Sequence, residues 1–335
     1  MTLSGTETAA SRDRGASSPT SHAGGQSKIA KFSDPDVTAN GERRARVAFR
    51  AYETIWFNTG TLCNITCQGC YIESSPKNDR LVYLSVAEVQ TFLDEAQDLS
   101  PPPAEIGFTG GEPFMNPEII QMLEAALARD FRVLVLTNAM KPMQNLTSQL
   151  LDLNRRHQGR LTIRVSLDHY LSEKHEQIRG ERTWEPSIKG LTWLAINGFD
   201  IAVAGRKAWG EDESATRAGY AKLFLELGFP IPADDPRRLV LFPEMDESAD
   251  VPEITEACWG ILGKSPSDVM CSNSRMVIKR KGAKLPAVVS CTLLAYSAEF
   301  EMGSTLAEAA RSVSLNHRHC ARFCVLGGAT CSATR

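Results

Sequence analysis

Apolar positions in the middle of this sequence form short continuous runs that alternate with longer amphipathic stretches. The short runs predict strands at 54–58, 104–109, 132–137, 161–168, 201–204 and 239–242. In the first long stretch, Val89, Phe92, Leu93 and Ala96 recur at the spacing of one helix face. Nearly continuous apolar strands separated by amphipathic helices are typical of a parallel sheet covered by helices.

Start and stop signals indicate where several of these helices begin and end. Ser85 and Glu88 have the spacing of a capping box, which predicts a helix from about Val86. Asn116 followed by a proline predicts the start of the next helix, with Asn116 as its N-cap. Gly198 follows the helix predicted over 184–197. Further helices are predicted near 145–157 and 215–227.

Six such strand–helix units predict an α/β fold, and we favour a partial (β/α)6 TIM-like barrel. An open doubly wound sheet would give the same pattern, and the sequence does not separate the two. After residue 250 the alternation of apolar strands and amphipathic helices ends. Residues 271–291 predict a β-hairpin around a Lys/Gly turn, and a capping box of Thr305 and Glu308 predicts a short helix.

These patterns divide the chain into three predicted regions. Residues 1–45 are rich in Ser, Thr, Gly and Ala, which favours a disordered tail. Residues 46–250 form the predicted barrel. Residues 251–335 form a small cysteine-rich domain, which we expect to be held together by metal rather than by a large core.

Composition excludes several classes of protein. The 335 residues carry a net charge of -3, so no basic excess points to nucleic acid or to a membrane surface. No apolar run approaches the roughly 20 residues that span a bilayer. The first residues lack the apolar core of a secretory signal. We therefore expect a cytoplasmic protein without a nucleic-acid or membrane partner.

The nine cysteines fall into two groups. Three lie between residues 63 and 70, and six lie between residues 258 and 331. An odd number spread over a long chain argues against a disulfide scaffold, whereas clusters in a cytoplasmic protein indicate metal binding or catalysis.

Cys63, Cys67 and Cys70 can wrap around one metal centre, since they lie within eight residues. Thiolates are the usual ligands of four-iron clusters, and three protein ligands for four irons leave one iron open for a reacting ligand. A zinc knuckle is the alternative, because zinc also takes clustered thiolates.

The spacing C-x3-C-x2-C, followed by Tyr71, resembles the signature of the radical S-adenosylmethionine (radical SAM) superfamily. The resemblance implies that Cys63, Cys67 and Cys70 hold a [4Fe-4S] cluster whose open iron binds S-adenosyl-L-methionine. Reduction of such a cluster yields a 5′-deoxyadenosyl radical, which abstracts hydrogen from a substrate. The family membership would make the protein an oxidoreductase.

Further segments resemble the family in the expected order. The residues to which the resemblance gives cofactor contacts are Gly110, Gly111, Glu112, Pro113, Asn138, Ser166, Asp168 and Arg179. In the family the GGEP backbone and acid receive the methionine ammonium, and the polar residues contact the ribose and carboxylate. Except for Arg179, these residues lie at the ends of successive predicted strands, so we expect them at one mouth of the barrel. Arg206, just after the fifth strand, is a candidate of similar status to Arg179.

The C-terminal cysteines resemble the twitch or SPASM-type extension of the same superfamily. The resemblance implies that Cys271, Cys291, Cys320 and Cys324 ligate an auxiliary four-iron cluster. Cys258 or Cys331 could replace one of these four ligands. The longer extensions hold two clusters and carry more cysteines, so we favour one cluster here. Structural zinc is the alternative, because His317 and His319 precede Cys320.

The resemblance implies an enzyme that takes electrons from a flavodoxin- or ferredoxin-type donor. We favour a peptide or protein maturase, although residues 1–45 lack the strand and helix pattern of a leader-binding module. A small-molecule dehydrogenase or cyclase is the second hypothesis. A non-catalytic iron–sulfur electron carrier is a third, but it would leave the Gly-Gly-Glu-Pro segment without a purpose.

Overall fold

A mixed sheet forms the centre of the protein in the computed structural model, which describes residues 30–244 and 249–328. The strands are, in chain order, β1 Arg46–Val47, β2 Thr54–Asn58, β3 Glu105–Thr109, β4 Arg132–Thr137, β5 Leu161–Ser166, β6 Asp200–Lys207, β7 Leu239–Pro243, β8 Ser274–Ile278, β9 Ala287–Val289 and β10 Val313–Ser314.

Helices connect these strands. They are α1 Val86–Gln97, α2 Ile119–Leu127, α3 Lys141–Gln144, α4 Thr147–Arg156, α5 Ser172–Arg179, α6 Trp184–Ile196, α7 Glu213–Leu227, α8 Cys258–Leu262 and α9 Leu306–Ala309. A π-helix, Cys320–Leu326, follows near the end of the described chain. Within the described residues, no helix is long and apolar enough to cross a membrane.

The strands from β2 to β7 are parallel and lie side by side in chain order. A doubly wound sheet reverses its strand order at a switch point, whereas a barrel adds each strand next to the preceding one. The observed order therefore confirms the predicted barrel-like α/β fold. It also places the carboxyl ends of six strands at the same end of the barrel-like sheet.

The predicted hairpin is confirmed as β8 and β9, which are antiparallel. Its first strand also pairs in parallel with β2, with Ile55 opposite Arg275, so the hairpin extends the central sheet. The predicted domain boundary at residues 250 and 251 lies between β7 and β8. The cysteine-rich region is thus joined to the barrel by a shared sheet.

The core lies on both faces of these strands. All five residues of β2 and all five of β3 are buried, and the rings of Phe57 and Phe108 stack with centroids 5.5 Å apart. A Cβ at Gly107 would overlap the ring of Trp56, so glycine at this position lets the indole pack across β3. Strands buried on both faces explain the continuous apolar runs of the sequence.

One helix start differs from its prediction. The helix α2 begins at Ile119, three residues after the predicted N-cap, and Oδ1 of Asn116 accepts from the amide of Glu118 (2.9 Å) in the turn that leads into the helix. Asn116 is buried, and its Nδ2 donates to the carbonyls of Thr59 (3.1 Å) and Leu84 (2.9 Å). The amide is used to join two loops, which a local capping pattern does not reveal. The capping box of Ser85 with Glu88 is confirmed.

The predicted tail is wrong for residues 30–45, whereas residues 1–29 lie outside the described chain. The guanidinium of Arg44 is buried and lies 2.6 Å from the carboxylate of Glu253. Arg44 also donates to the carbonyls of Asp34 (2.7 Å) and Val37 (2.9 Å). This buried ion pair fixes a segment whose polar composition had indicated disorder.

Candidate functional site

A cavity of about 160 Å³ opens at the carboxyl ends of the parallel strands. Loops that follow several strands reach it, which is where barrel enzymes have their active sites. The residues predicted from the sequence that line it are Cys63, Cys67, Cys70, Gly110, Gly111, Asn138, Ser166, Asp168 and Arg179. The strand order thus brings together segments that are far apart in the chain.

The loop after β2 carries the three cysteines of the first group along one side of this cavity. The amide of Cys63 donates to the carbonyl of Ser75 (3.1 Å), and the amide of Gln68 donates to the carbonyl of Ile178 (2.7 Å). The loop is therefore fixed both to its own return segment and to α5. Three thiols on a backbone that is held in place are a preorganised donor set for an iron–sulfur cluster.

Burial favours the protonated form of the Cys63 and Cys67 thiols in the protein alone. It raises the pKa of Cys63 to about 12 and also raises the pKa of Cys67. The positive charge of Arg179 opposes the rise for both thiols. Since thiolates are the metal ligands, binding of a metal centre would have to displace these protons.

Gly110 and Gly111 lie directly against the start of the cysteine loop. Gly110 has a φ of +139°, and a Cβ there would lie 2.5 Å from the carbonyl oxygen of Gly60. A Cβ on Gly111 would overlap the carbonyl of Leu62. The amide of Gly111 donates to Gly60 (2.8 Å), and the amide of Glu112 donates to Leu62 (3.1 Å). Both positions need glycine because the two backbones are in contact.

The carboxylate of Glu112 points into the protein. It accepts from the hydroxyl of Thr137 (2.8 Å) and from the amide of Asn138 (2.9 Å). Burial raises the pKa of Glu112 to about 7, although these hydrogen bonds favour the charged form. In the described chain, neither Glu112 nor Pro113 is among the residues that line the cavity. The carboxylate thus joins the glycine turn to the end of β4.

Asn138 connects the end of β4 to the cysteine loop. Its Nδ2 donates to Oδ1 of Asn64 (2.9 Å) and lies 4.0 Å from the sulfur of Cys63. Its Oδ1 accepts from the amide of Met140 (3.0 Å). The side chain amide is therefore held in one orientation beside the first cysteine.

Asp168, just after β5, is paired with two arginines. Nε of Arg179 lies 2.6 Å from one carboxylate oxygen, and Nε of Arg206 lies 3.1 Å from the other. Burial acts to raise the pKa of Asp168, but the two guanidinium groups outweigh it and lower the pKa. The backbone amide of Asp168 donates to Nδ1 of His175 (3.3 Å). The carboxylate is thus ionised and fixed at the cavity wall.

Arg206 links this ion pair to the cysteine loop. Its Nη1 lies 3.3 Å from the carbonyl oxygen of Gln68, and its backbone amide donates to the carbonyl of Asp168 (2.9 Å). Its position after the fifth strand made it a candidate. No sequence signal connected it with the cysteines, because the contact depends on how two distant loops pack.

An apolar wall of the cavity, formed by Phe242, Leu293 and Phe323, was not predicted. The rings of Phe242 and Phe323 stack with centroids 5.3 Å apart. Leu293 lines both this cavity and a second one. These residues come from three separate segments without a motif. The available signals were the position of Phe242 at the end of the sixth predicted strand and the proximity of Phe323 to Cys324.

The second cavity measures about 20 Å³. All four cysteines predicted for the auxiliary site line it: Cys271, Cys291, Cys320 and Cys324. Burial raises the pKa of Cys320 well above its ordinary value. Cys258 does not line this cavity, and its sulfur lies 3.4 Å from the amide of Thr255. Cys331 lies outside the described residues.

Two histidines lie close to the second cavity. His319 lines it, and the ring of His317 lies 4.7 Å from that of His319. Burial lowers the pKa of His317 to about 4. Within residues 30–244 and 249–328, no three His, Cys, Asp or Glu side chains converge closely enough to hold one metal ion. Four thiols are the donor set of a four-iron cluster, which attaches each thiolate to a different iron.

Residues 57–206 match the family model described as the Radical SAM superfamily. Over 143 residues the chain is 29% identical to the subtilosin biosynthesis protein AlbA of Bacillus subtilis, covering 42% of this chain and 30% of AlbA. Over 161 residues it is 27% identical to the mycofactocin maturase MftC of Mycobacterium tuberculosis, covering 47% of this chain and 39% of MftC. The chain thus matches less than half the length of these relatives.

Two solved structures share the fold. Streptococcus suis SuiB, bound to its precursor peptide SuiA, has a TM-score of 0.56 at 13% identity, over 76% of this chain and 62% of SuiB. The structure of anSMEcpe with bound AdoMet has a TM-score of 0.53 at 15% identity, over 76% of both chains.

Proposed function

We propose that this chain is a radical SAM enzyme that matures a peptide, because residues 57–206 match the family model described as the Radical SAM superfamily. The observation that carries the proposal is that the three cysteines, the Gly110–Gly111 turn and the Asp168–Arg179 ion pair all line the same cavity. A cluster ligand set, a tight turn and a fixed pair of opposite charges in one cavity suit a small charged cofactor beside a metal centre.

We assign the cluster of this cavity to Cys63, Cys67 and Cys70. When bound, a [4Fe-4S] cluster with one open iron supplies the electron that cleaves S-adenosylmethionine. The protein itself positions the cysteine loop and shields it from water. The Gly111 turn and the Arg206 guanidinium support the cysteine loop from two sides, and the buried position of Cys63 keeps water away.

We assign S-adenosylmethionine to the part of the cavity between the glycine turn and the end of β5. Its lining includes Asn138, Ser166, Asp168 and Arg179. A zwitterionic ligand needs partners of both charges, which the Asp168 carboxylate and the Arg179 guanidinium provide. Glu112 acts behind this surface, since its carboxylate fixes the turn rather than facing the cavity.

A peptide is the substrate we favour. Both curated relatives are named for the making or maturation of a product, and SuiB was crystallised with a precursor peptide. The wall of Phe242, Leu293 and Phe323 offers an apolar surface for a substrate side chain opposite the cysteine loop. A small-molecule dehydrogenase or cyclase remains the second candidate substrate class.

We assign an auxiliary [4Fe-4S] cluster to Cys271, Cys291, Cys320 and Cys324. Leu293 lies in the wall of both cavities, so the auxiliary site is next to the proposed substrate site. This proximity suits transfer of a single electron between substrate and auxiliary site. In this proposal a cytoplasmic flavodoxin- or ferredoxin-type protein reduces the enzyme.

An anaerobic assay of the reconstituted protein tests the enzymatic proposal. Wild type, the Cys63/Cys67/Cys70→Ala triple variant and the control Cys258→Ala are incubated with dithionite and S-adenosylmethionine, and 5′-deoxyadenosine is measured. We expect product from wild type and control. The triple variant should give none but keep about four irons.

The opposite result is also informative. Wild type that holds all its iron but produces no 5′-deoxyadenosine would favour an electron carrier over an enzyme. For the substrate, purified enzyme is incubated with a short peptide encoded beside its gene. A change in peptide mass that requires S-adenosylmethionine supports a maturase, and no change with several such peptides favours a small molecule.

A further inference from the structure

Arg275 is a fully buried arginine next to the second group of cysteines. It lies in β8, four residues after Cys271. Its Nη1 donates to the carbonyls of Cys271 (2.6 Å) and Ser274 (2.7 Å). Its Nε donates to the carbonyl of Ala309 (2.9 Å), and its Nη2 donates to that of Arg311 (2.7 Å). The guanidinium is therefore held in one place by four peptide groups.

These partners satisfy hydrogen bonds but do not neutralise charge. Within residues 30–244 and 249–328, no carboxylate forms an ion pair with Arg275. The ring of Phe49 covers the guanidinium with its centroid 4.6 Å away. By contrast Arg44, which is equally buried, lies 2.6 Å from Glu253. A buried cation without an anion is expensive, so a counter-ion is expected near Arg275.

The cysteines of the second cavity offer that counter-ion. Cys271 contacts Arg275 directly through its carbonyl, and both Cys271 and Cys291 line the cavity. As thiols these side chains are neutral. Four thiolates around a four-iron cluster give the assembly a net negative charge, which is one of the properties that set its reduction potential.

We propose that Arg275 is the buried counter-ion of the auxiliary cluster and raises its reduction potential. The inference rests on the auxiliary cluster of the proposed function. Reduction adds a negative charge, so a fixed positive charge nearby stabilises the reduced form more than the oxidised form. Arg275 is a positioning residue in this scheme: it does not bind iron, and its effect is electrostatic.

The test uses the full chain with Cys63, Cys67 and Cys70 replaced by Ala, so that the auxiliary cluster alone gives a signal. An anaerobic redox titration followed by electron paramagnetic resonance compares this parent with added Arg275→Gln, Arg275→Lys or Lys281→Gln. The Arg275→Lys variant keeps the positive charge but loses the planar N–H donors of the guanidinium. Lys281 is an exposed cation just after the same strand, so its loss controls for a change in overall charge.

We expect Arg275→Gln to raise the ratio of oxidised to reduced cluster at a fixed potential at least tenfold, about 59 mV for one electron. Arg275→Lys and Lys281→Gln should stay within about twofold of the parent, roughly 18 mV on the same scale. Loss of iron from the Gln variant with retention in the Lys variant would also support the proposal, because the charge is then required for loading.

Equal potentials in all variants would overturn the proposal. Equal shifts in the Gln and Lys variants, or iron loss from both, would overturn it too, because hydrogen-bond geometry rather than charge would then be responsible. If the parent holds no iron, the assignment of an auxiliary cluster in the proposed function is wrong. If the parent holds a cluster but substitution of Arg275 leaves its reduction potential unchanged, the role of Arg275 is wrong and the proposed function is unaffected.

Discussion

Nε of Arg179 lies 2.6 Å from Oδ2 of Asp168, and both side chains are almost completely buried. The contact joins the end of α5 to the loop after β5. The residue before Arg179, Ile178, accepts the amide of Gln68 in the cysteine loop. This ion pair and the backbone hydrogen bond of Ile178 therefore connect the proposed cofactor surface, through the end of α5, to the loop that carries the proposed cluster ligands.

Replacing Asp168 with Asn tests the importance of this buried charge. The change keeps the size of the side chain but leaves the guanidinium groups of Arg179 and Arg206 without a carboxylate. We expect a loss of about 3 kcal/mol in the free energy of unfolding, measured by urea denaturation of the apoprotein. Asp250→Asn, which breaks an exposed pair with Lys31, should leave the free energy of unfolding almost unchanged. Equal losses would show that burial of the pair does not matter.

Replacing Gly111 with Ala tests the contact between the glycine turn and the cysteine loop. The new Cβ would overlap the carbonyl of Leu62 and push the loop away. We expect iron content to fall from about eight to about four per chain, because only the auxiliary site would load. Gly260→Ala is the control, since its Cβ would meet nothing within 4 Å. Full iron loading of the Gly111 variant would contradict the proposed role of this turn.

The two cavities make different predictions for two C-terminal cysteines. Cys320→Ser should remove about four irons, since Cys320 is buried in the wall of the second cavity. Cys258→Ser should keep them, because Cys258 lies outside this wall and contacts Thr255. Iron analysis and the visible absorbance of the reconstituted variants provide the measurement. Iron loss from the Cys258 variant alone would change the assigned ligand set.

The buried pair of Arg44 and Glu253 predicts a pH-dependent stability. Burial acts to raise the pKa of Glu253, but the amides of Ala39 and Phe32 and the Arg44 guanidinium outweigh it and lower the pKa. A carboxyl whose pKa is lower in the folded state stabilises the protein above its unfolded pKa, about 4.3. That stabilisation is lost as the pH falls through the lower pKa of the folded state.

Glu253→Gln measures this contribution. At pH 7 the variant should be less stable than wild type by about 3 kcal/mol, because a buried cation loses its partner. The difference should shrink as the pH falls below about 4.3. Urea denaturation of both proteins across this range gives the curve, with the exposed Glu226→Gln as control. A difference that is constant with pH would exclude ionisation of Glu253 as its source.

The sequence predicted the elements whose signals are local. The apolar runs gave the strands from β2 to β7, because strands buried on both faces need apolar residues at every position. It did not indicate α5, whose eight residues are mostly polar and whose buried side chain is His175. Because this helix buries little apolar surface, its sequence shows no clear apolar stripe.

The sequence also predicted which residues of the candidate site come together. Family-like spacing identified the cysteines, and the rule that parallel strands end at one mouth brought Asn138, Ser166 and Asp168 beside them. The assigned roles of these residues stay predictions until cofactor binding is measured, as does the domain boundary at residue 250.

By itself, the sequence determined the positions of the six parallel strands and the two groups of cysteines, because apolar runs and cysteine spacing are local features of the chain. Only the tertiary structure decided that Glu112 faces inward, that Arg206 reaches the cysteine loop, and that Arg275 is buried beside Cys271. Side-chain direction and charge pairing depend on which distant backbones come into contact. Local patterns carry no information about those contacts, since they arise only when strands and loops that are distant in the chain pack together.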